Sequence, residues 1–287
     1  MMAAISLETY AENTWCPGCG DFGILAAAKA AIQELVREGT PIENIVILSG
    51  IGCHGKIVDY INVNSFYSLH GRVLPAATGI KMANPELTVI GFAGDGDAYG
   101  EGVEHFVFSA KRNTDIVLIV HNNMVYGLTT GQYTPTSPKG YQGKSTPKGS
   151  PEEPMNPIAL ALASGATFVA RGYAANKKHL IWLIKEAVKH KGFALVDVLQ
   201  PCVTFYNTFP YFSKNVYDLQ EEGHDTGDFI AAMEKAREWN HRLEGRVPIG
   251  IFYKVEKPTL EEELLKGRRP RQMPYIDTVS HVLKQHI

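Results

Sequence analysis

Leu87-Thr-Val-Ile-Gly-Phe-Ala93, running straight into Gly94-Asp95-Gly96-Asp97, and Ile116-Val-Leu-Ile-Val-His121, running into Asn122-Asn123, decide how this chain folds. Both are unbroken apolar runs of strand length, and such runs fit strands buried on both faces of a parallel sheet. Between them, Glu101 to Arg112 reads as the crossover helix. Upstream, Ile45 to Ser49 is another such strand, closed by Gly50 and Gly52, and Leu74 to Met82 is a second helix. Asp21 to Glu38 is a third, with Ile24, Leu25, Ala28, Ile32, Leu35 and Val36 at helical spacing and Gly39 as its stop. Downstream, Thr134 to Pro157 is rich in Pro, Gly, Ser and Lys without apolar period and reads as a long loop. Pro157 to Ser164 and His179 to Lys189 then read as helices, and Thr167 to Ala170 and Phe193 to Leu199 as strands, the last leading to Pro201-Cys202. The fold class is therefore α/β, a mostly parallel sheet flanked by helices.

Residues 1–204 carry this pattern, and residues 205–287 are expected to form a C-terminal extension packed on the core or on a partner. From Thr208 the pattern weakens, and Leu260 to Ile287 is charged enough to wrap a surface or a partner. Strand ends carry Gly52-Cys53, Gly94 to Asp97 and Asn122-Asn123. In open α/β sheets ligands bind outside the carboxyl ends of the strands, so these ends mark the working edge.

Composition excludes several functions. The 287 residues are 45% hydrophobic and 20% charged, enough to bury a sizeable core. Thirty acids against 28 bases leave a net charge of -2, with no field to draw nucleic acid or an anionic membrane. The first residues lack the basic and apolar regions of a signal peptide, and no stretch reaches the ~20 apolar residues of a membrane span. A cytoplasmic protein is expected.

The four cysteines are placed, not scattered. Cys16 and Cys19 form Trp-Cys-Pro-Gly-Cys-Gly, Cys53 sits in Gly-Ile-Gly-Cys-His-Gly, and Cys202 follows a strand in Gln-Pro-Cys-Val-Thr. In a cytosolic setting this pattern suits an iron-sulfur cluster or a zinc ion better than a disulfide framework. Spacing alone does not separate the two metals.

Gly94-Asp95-Gly96 followed by a helix, a strand and Asn122-Asn123 resembles the binding motif of thiamine diphosphate enzymes. A diphosphate held through Mg2+ needs oxygen ligands in near-octahedral array. Asp95 can give a carboxylate, Asn123 an amide oxygen and Val125 a backbone carbonyl, leaving places for two phosphate oxygens and a water. The motif uses the second Asn, which selects Asn123. Glycines beside Asp95 let the backbone approach the phosphates, and a helix N-terminus near Glu101 favours negative charge.

From Trp15 to Pro138 the chain resembles the beta subunit of 2-oxoacid:ferredoxin oxidoreductases. The resemblance rests, in order, on Cys-Pro-Gly-Cys-Gly, Ile-Gly-Cys-His-Gly-Lys, His-Gly-Arg, Gly-Asp-Gly-Asp, Asn-Asn-Met-Val-Tyr-Gly-Leu-Thr-Thr-Gly-Gln and Pro-Thr-Ser-Pro, and Cys202 extends it to Thr204. It implies the pyrophosphate module of a thiamine diphosphate-binding fold and one 4Fe-4S cluster on Cys16, Cys19, Cys53 and Cys202. It also implies that Ile51, Gly52, Cys53 and His54 line the cofactor, that Gly96 and Asp97 touch its diphosphate side, and that Gly127 and Leu128 close over it. Lys56 matches a lysine that grips the substrate carboxylate. His70 and Arg72 serve cofactor or substrate, and His105 on its helix is structural.

The activity so implied is CoA-dependent oxidative decarboxylation of a 2-oxoacid to acyl-CoA and CO2, with electrons leaving through the cluster to ferredoxin. Thiamine enzymes pair this module with a second one whose Glu contacts the aminopyrimidine, and no such module follows Thr204. An alpha subunit is therefore expected to complete the site, in an (alpha-beta)2 heterotetramer, and to carry the coenzyme A site. The Gln132 to Pro157 loop looks more like 2-oxoglutarate or broad-range members than pyruvate-specific ones. Competing readings are a non-redox thiamine decarboxylase or synthase subunit, which has no need of four placed cysteines, an electron-transfer subunit without catalysis, and a zinc-bearing structural module.

Overall fold

A computed structural model of the chain describes residues 6–272 and 278–285. The first five residues and parts of the charged stretch Leu260 to Ile287 thus lie outside the described residues.

In chain order the elements are α1 (Asp21–Arg37), β1 (Ile45–Ser49), β2 (Asn64–Tyr67), α2 (Val73–Ala83), β3 (Thr88–Gly94), α3 (Val103–Arg112), β4 (Val117–Asn122), β5 (Val125–Tyr126) and β6 (Gln132–Tyr133). They continue with α4 (Pro157–Ala163), β7 (Phe168–Tyr173), α5 (Lys177–Lys189), β8 (Ala194–Leu199), α6 (Phe209–Asn215), β9 (Val216–Asp218), α7 (Phe229–Arg237), β10 (Val247–Lys254), α8 (Leu260–Leu265) and α9 (Thr278–Gln285). Eight strands form one sheet in the order β2-β1-β3-β4-β8-β7-β10-β9, and β5 with β6 forms a separate antiparallel pair. The main sheet is parallel except where β10 runs antiparallel to β7.

Period-2 alternation divides each central strand between two cores. Ile45, Ile47, Ile90, Phe92, Val117, Ile119, Val196 and Val198 pack with Ile24, Ile32, Leu180 and Leu183 of α1 and α5. Leu48, Val89, Leu118, Val120 and Leu195 pack on the other face against Leu74, Phe106, Ile158 and Ala232 of α2, α3, α4 and α7. Each fully buried side chain of this size contributes about 1.5–3 kcal/mol, so both faces must be covered for the sheet to stand.

The expected strands and helices are present, with shifts of a few residues. Two segments depart from expectation. The helix expected from Glu101 is preceded by helical residues 95–96 and a π-helical turn, Asp97–Glu101, so the backbone turns helical at the Gly-Asp-Gly motif itself. After Thr204, where the pattern weakens, α6, β9, α7 and β10 still add two strands to the same sheet. Pro248 and Gly250 break the apolar run of β10, and a bulge between Ile251 and Tyr253 shifts its register, which is why its sequence does not read as a strand.

Candidate functional site

The carboxyl ends of β1, β3, β4 and β8 open onto two adjoining cavities. The smaller, about 80 Å³, brings together Ile51 to His54, His70, Asp95, Gly96, Asp97, Asn123, Val125, Gly127 and Leu128, whereas Arg72, also expected to serve cofactor or substrate, does not line it and donates to the Gly71 and Glu101 carbonyls. The larger, about 340 Å³, is lined by Cys16, Cys19, Cys53 and Cys202. Lys56 lines this second cavity and not the first, and its ammonium donates to Thr14 Oγ1 at 2.6 Å.

Asp95 is buried at the start of the helical turn after β3. Thr134 and Thr136 donate their hydroxyls to the same oxygen, Oδ2, at 2.5 and 2.6 Å, which leaves Oδ1 for a cation. Burial pushes the carboxyl up to about 6, against the two hydroxyls that favour its charged form. Asn123 Oδ1 accepts the Val125 N–H at 3.0 Å across Met124, which sits in the left-handed region at φ 62°. Ser137 Oγ donates to the Met124 carbonyl. This tight turn sets Asn123 and Val125 on the cavity beside Asp95, so the donor set is the hard, oxygen-based one that Mg2+ prefers.

Asp97 lines the cavity with its carboxylate already taken up. Oδ1 accepts from Gly71 N at 2.5 Å and lies 2.6 Å from His70 Nδ1, and Oδ2 lies 3.2 Å from His54 Nε2. Burial opposes its ionisation, but the two histidines and the Gly71 N–H hold it well below the usual carboxylate range. In return the hydrogen bond to Asp97 raises His70 above its ordinary value. Asp97 therefore presents histidines, not a bare anion, to a diphosphate. Gly50 and Gly96 are required here by close approach: a Cβ on Gly50 would stand 1.9 Å from Asp97 Oδ2, and one on Gly96 2.0 Å from the Tyr126 ring. Asp97 is held through Oδ1 by Gly71 and His70 and lies against His54, so it has little room to yield. Gly50→Ala is accordingly expected to lower stability by about 1–3 kcal/mol, the cost of overpacking, read from chemical denaturation midpoints at unchanged slope.

The cysteine cavity is assembled from three distant stretches. Trp15 Nε1 donates to the Cys53 carbonyl at 2.7 Å and Gly20 N donates to the Pro201 carbonyl at 3.2 Å, tying the Cys16–Cys19 turn to the other two cysteine loops. A Cβ on Gly127 would lie 3.5 Å from the Cys53 sulfur and 3.9 Å from that of Cys202, so its bare backbone packs on two sulfurs. All four cysteines are free thiols. Burial, then the nearby Asp21 carboxylate, pushes Cys53 up to about 11 and raises Cys19 further. Thiolates there need cationic compensation, which metal ligation provides.

Several residues that sequence reasoning did not single out also belong to the site. Thr134 and Thr136 lie in and beside the Pro-Thr-Ser-Pro motif, where a loop composition hides their bonds to Asp95. Tyr126 donates to Glu101 Oε2 at 3.1 Å beside His70. Gln200 lines both cavities. Buried Asp21 and His121 meet at 2.7 Å, the first lining the cysteine cavity and the second the other. The two are 100 residues apart in sequence, and no local pattern announces the pair.

Comparison with known proteins agrees with this geometry. Residues 50–198 match the family described as thiamine pyrophosphate enzyme, C-terminal TPP binding domain, and residues 202–268 match the family of the C-terminal part of the pyruvate ferredoxin oxidoreductase beta subunit. The 2-oxoacid:ferredoxin oxidoreductase subunit beta of Saccharolobus solfataricus is 48% identical over 283 residues, covering 94% of this chain and 90% of the relative. The 2-oxoglutarate synthase subunit KorB of Methanocaldococcus jannaschii is 35% identical over 259 residues, covering 88% of this chain and 92% of the relative. Among solved structures, the 2-oxoglutarate:ferredoxin oxidoreductase from Magnetococcus marinus, with 2-oxoglutarate, coenzyme A and succinyl-CoA bound, superposes with a TM-score of 0.87 at 37% identity, covering 97% of this chain and 94% of that one. With a thiamine pyrophosphate-binding domain, a parallel α/β sheet and these relatives, the chain belongs to the beta subunits of the 2-oxoacid:ferredoxin oxidoreductases.

Proposed function

We propose that this chain holds the diphosphate end of thiamine diphosphate through Mg2+ and carries a 4Fe-4S cluster beside it. With an alpha subunit, in an (alpha-beta)2 heterotetramer, it converts 2-oxoglutarate and coenzyme A to succinyl-CoA and CO2 and reduces ferredoxin. The observation that carries this reading is the wall between the cavities: Cys53, Asn123, Gly127, Leu128 and Gln200 line both. A cofactor and an electron acceptor so placed are separated by one layer of residues.

Asp95, Asn123 and the Val125 carbonyl would hold Mg2+, and His70, whose protonated form the hydrogen bond to Asp97 favours, lies on the diphosphate side. Ile51 to His54 and Leu128 shape the apolar and backbone lining, and Gly127 brings the chain close. Thiamine diphosphate supplies the electron-sink chemistry of decarboxylation, and the cluster supplies one-electron transfer. Four cysteines around a space of about 340 Å³ suit a cluster better than a lone zinc ion. Lys56 carries an ammonium that donates to Thr14 and not to a carboxylate, which leaves it a cation for the carboxylate of a 2-oxoacid.

Residues 1–204 carry both sites, and residues 205–287 serve as the extension, whose strands β9 and β10 pair onto the edge of the core sheet. Among the described residues no helix is long and apolar enough to cross a membrane. The reducing cytoplasm is the compartment in which four unpaired thiols remain available as ligands.

The test is anaerobic co-purification with the alpha subunit, followed by assay of iron, sulfide, zinc, Mg2+ and thiamine diphosphate and by turnover with a dye acceptor. Iron, sulfide and cofactor are expected in the complex, with kcat/KM higher for 2-oxoglutarate than for pyruvate and no turnover by the isolated chain. Zinc in place of iron, or activity of the isolated chain, would sink the reading.

A further inference from the structure

Gln200 directly follows β8 with its side chain buried, 1% exposed, between the two cavities. Its Nε2 donates to the Pro201 carbonyl at 3.1 Å and lies 3.3 Å from Cys19 Sγ. The carbonyl can only accept, so the nitrogen and not the oxygen of the carboxamide must face it, and the second N–H is left for the sulfur. Its oxygen, Oε1, is buried without a partner. An unsatisfied buried oxygen destabilises the fold, and a Leu or Met would fill the place without that cost. What the amide offers in return is the N–H on a sulfur.

Cys19 has a second buried neighbour of opposite effect. Asp21 Oδ2 lies 3.5 Å from its sulfur, and the same carboxylate is fixed by His121 at 2.7 Å. A carboxylate beside a cluster sulfur disfavours added electron density, whereas an N–H donor favours it.

We infer that Gln200 is a positioning residue of the electron path: its N–H bond to the Cys19 sulfur holds up the reduction potential of the cluster against the Asp21 carboxylate. The inference rests on the reading that the four cysteines bind a 4Fe-4S cluster. In the step concerned one electron enters the cluster, no proton moves and no covalent bond forms or breaks. The added charge is shared by the ligating sulfurs, and the N–H···S bond strengthens with it. Thr204 donates to Cys16 Sγ at the same 3.3 Å, but both residues are exposed, so water takes the place of that hydroxyl when it is removed. The two donors therefore differ in weight although they are alike in length.

The experiment is an anaerobic, mediator-equilibrated titration with dithionite of the alpha-beta complex, followed by EPR, for the wild type, Gln200→Leu, Gln200→Glu and Thr204→Val. Iron, sulfide and thiamine diphosphate are counted first. Gln200→Leu is expected to keep all three and to disfavour cluster reduction about tenfold, which is about 59 mV more negative for one electron. Gln200→Glu, which keeps the shape but replaces the donor by an acceptor, shifts at least as far. Thr204→Val stays within about twofold of the wild type. An unchanged potential in Gln200→Leu with a full cluster overturns the inference, and so does loss of iron from both Gln200 variants, which would make the residue merely structural. A wild-type complex without iron and sulfide would instead overturn the cluster reading itself.

Discussion

Asp95→Asn is expected to lose Mg2+-dependent binding of thiamine diphosphate and yet to make the cofactor-free protein more resistant to heat at neutral pH. Both effects come from one buried carboxyl. Its folded value, about 6, lies above the ordinary 3.8, so its contribution to stability is fully present below the unfolded value and is lost as pH rises through about 6. At pH 7.5 the ionised group costs the cofactor-free fold on the order of 3 kcal/mol, a cost that Asn, still accepting from Thr134 and Thr136, removes. Mg2+ and the diphosphate need that charge. Removing one partner of a buried charge pair costs about 3 kcal/mol or more, at least 100-fold in cofactor affinity. In the wild type the affinity should fall as pH drops through about 6, because the proton on Asp95 competes with the metal. Calorimetry in two buffers of different ionisation enthalpy measures the proton released, and scanning calorimetry with and without cofactor measures stability. Cofactor binding by the variant at wild-type affinity would remove Asp95 from the ligand set.

Arg171→Met should be the most damaging substitution outside the cavities. Arg171 is fully buried; its Nε lies 3.3 Å from Asp197 Oδ2, its Nη1 donates to the Pro248 carbonyl at 3.4 Å, and its guanidinium rests 5.0 Å from the centre of the Trp239 ring. Asp197 also accepts from Tyr99 at 3.1 Å and from Asn122 Nδ2 at 3.0 Å. Burial raises its carboxyl from the ordinary value even with Arg171 beside it. Without the arginine a charge is left uncompensated, a loss of about 3–5 kcal/mol. The damage should also reach the cofactor. Asp95 Oδ2 and Asn122 Oδ1 both lie within reach of the single Thr136 hydroxyl hydrogen, at 2.6 and 3.0 Å, so the network around Arg171 and Asp197 touches the expected Mg2+ ligand from behind. Denaturant titration reads the first effect and the concentration of thiamine diphosphate giving half-maximal activity reads the second. The double variant Arg171→Met with Asp197→Leu should recover part of the stability but not the affinity. Recovery of both, or a single-variant loss under about 1 kcal/mol, would contradict this account.

The strands that carry the site were legible because each is a continuous apolar run ending in a polar motif, and β1, β3, β4 and β8 all lie where those runs predict. β2 escaped notice for the opposite reason. Asn64 to Tyr67 is exposed throughout, so no buried face shapes its sequence. Residue types foretold the contents of each cavity, since the carboxylate, the amide and two of the thiols fall at strand ends and the other two thiols form a Cys-Pro-Gly-Cys turn. Their supports were not foretold. Thr134, Thr136, Gln200 and Asp21 act through side-chain bonds across the fold, and the long loop of residues 134–157 conceals two of them under a composition that signals only irregular backbone. The motif did not announce which cavity Lys56 faces: three residues from Cys53, it lines the cysteine cavity.

The three-part origin of the cysteine cavity has a consequence for how the protein is made. Two ligands precede the first helix, one follows the first strand, and the last emerges only after β8, so the ligand set cannot close until most of the sheet has been synthesised and paired. Contacts of such sequence separation form late, because the entropy of closing long loops opposes them until packing compensates. The cluster we propose there would be added to a nearly finished fold and would then clasp its beginning to its far side. Oxidative loss of iron would undo that clasp and free the N-terminal turn while the sheet stays folded, so protease sensitivity confined to residues near Cys16 would report the history of each molecule.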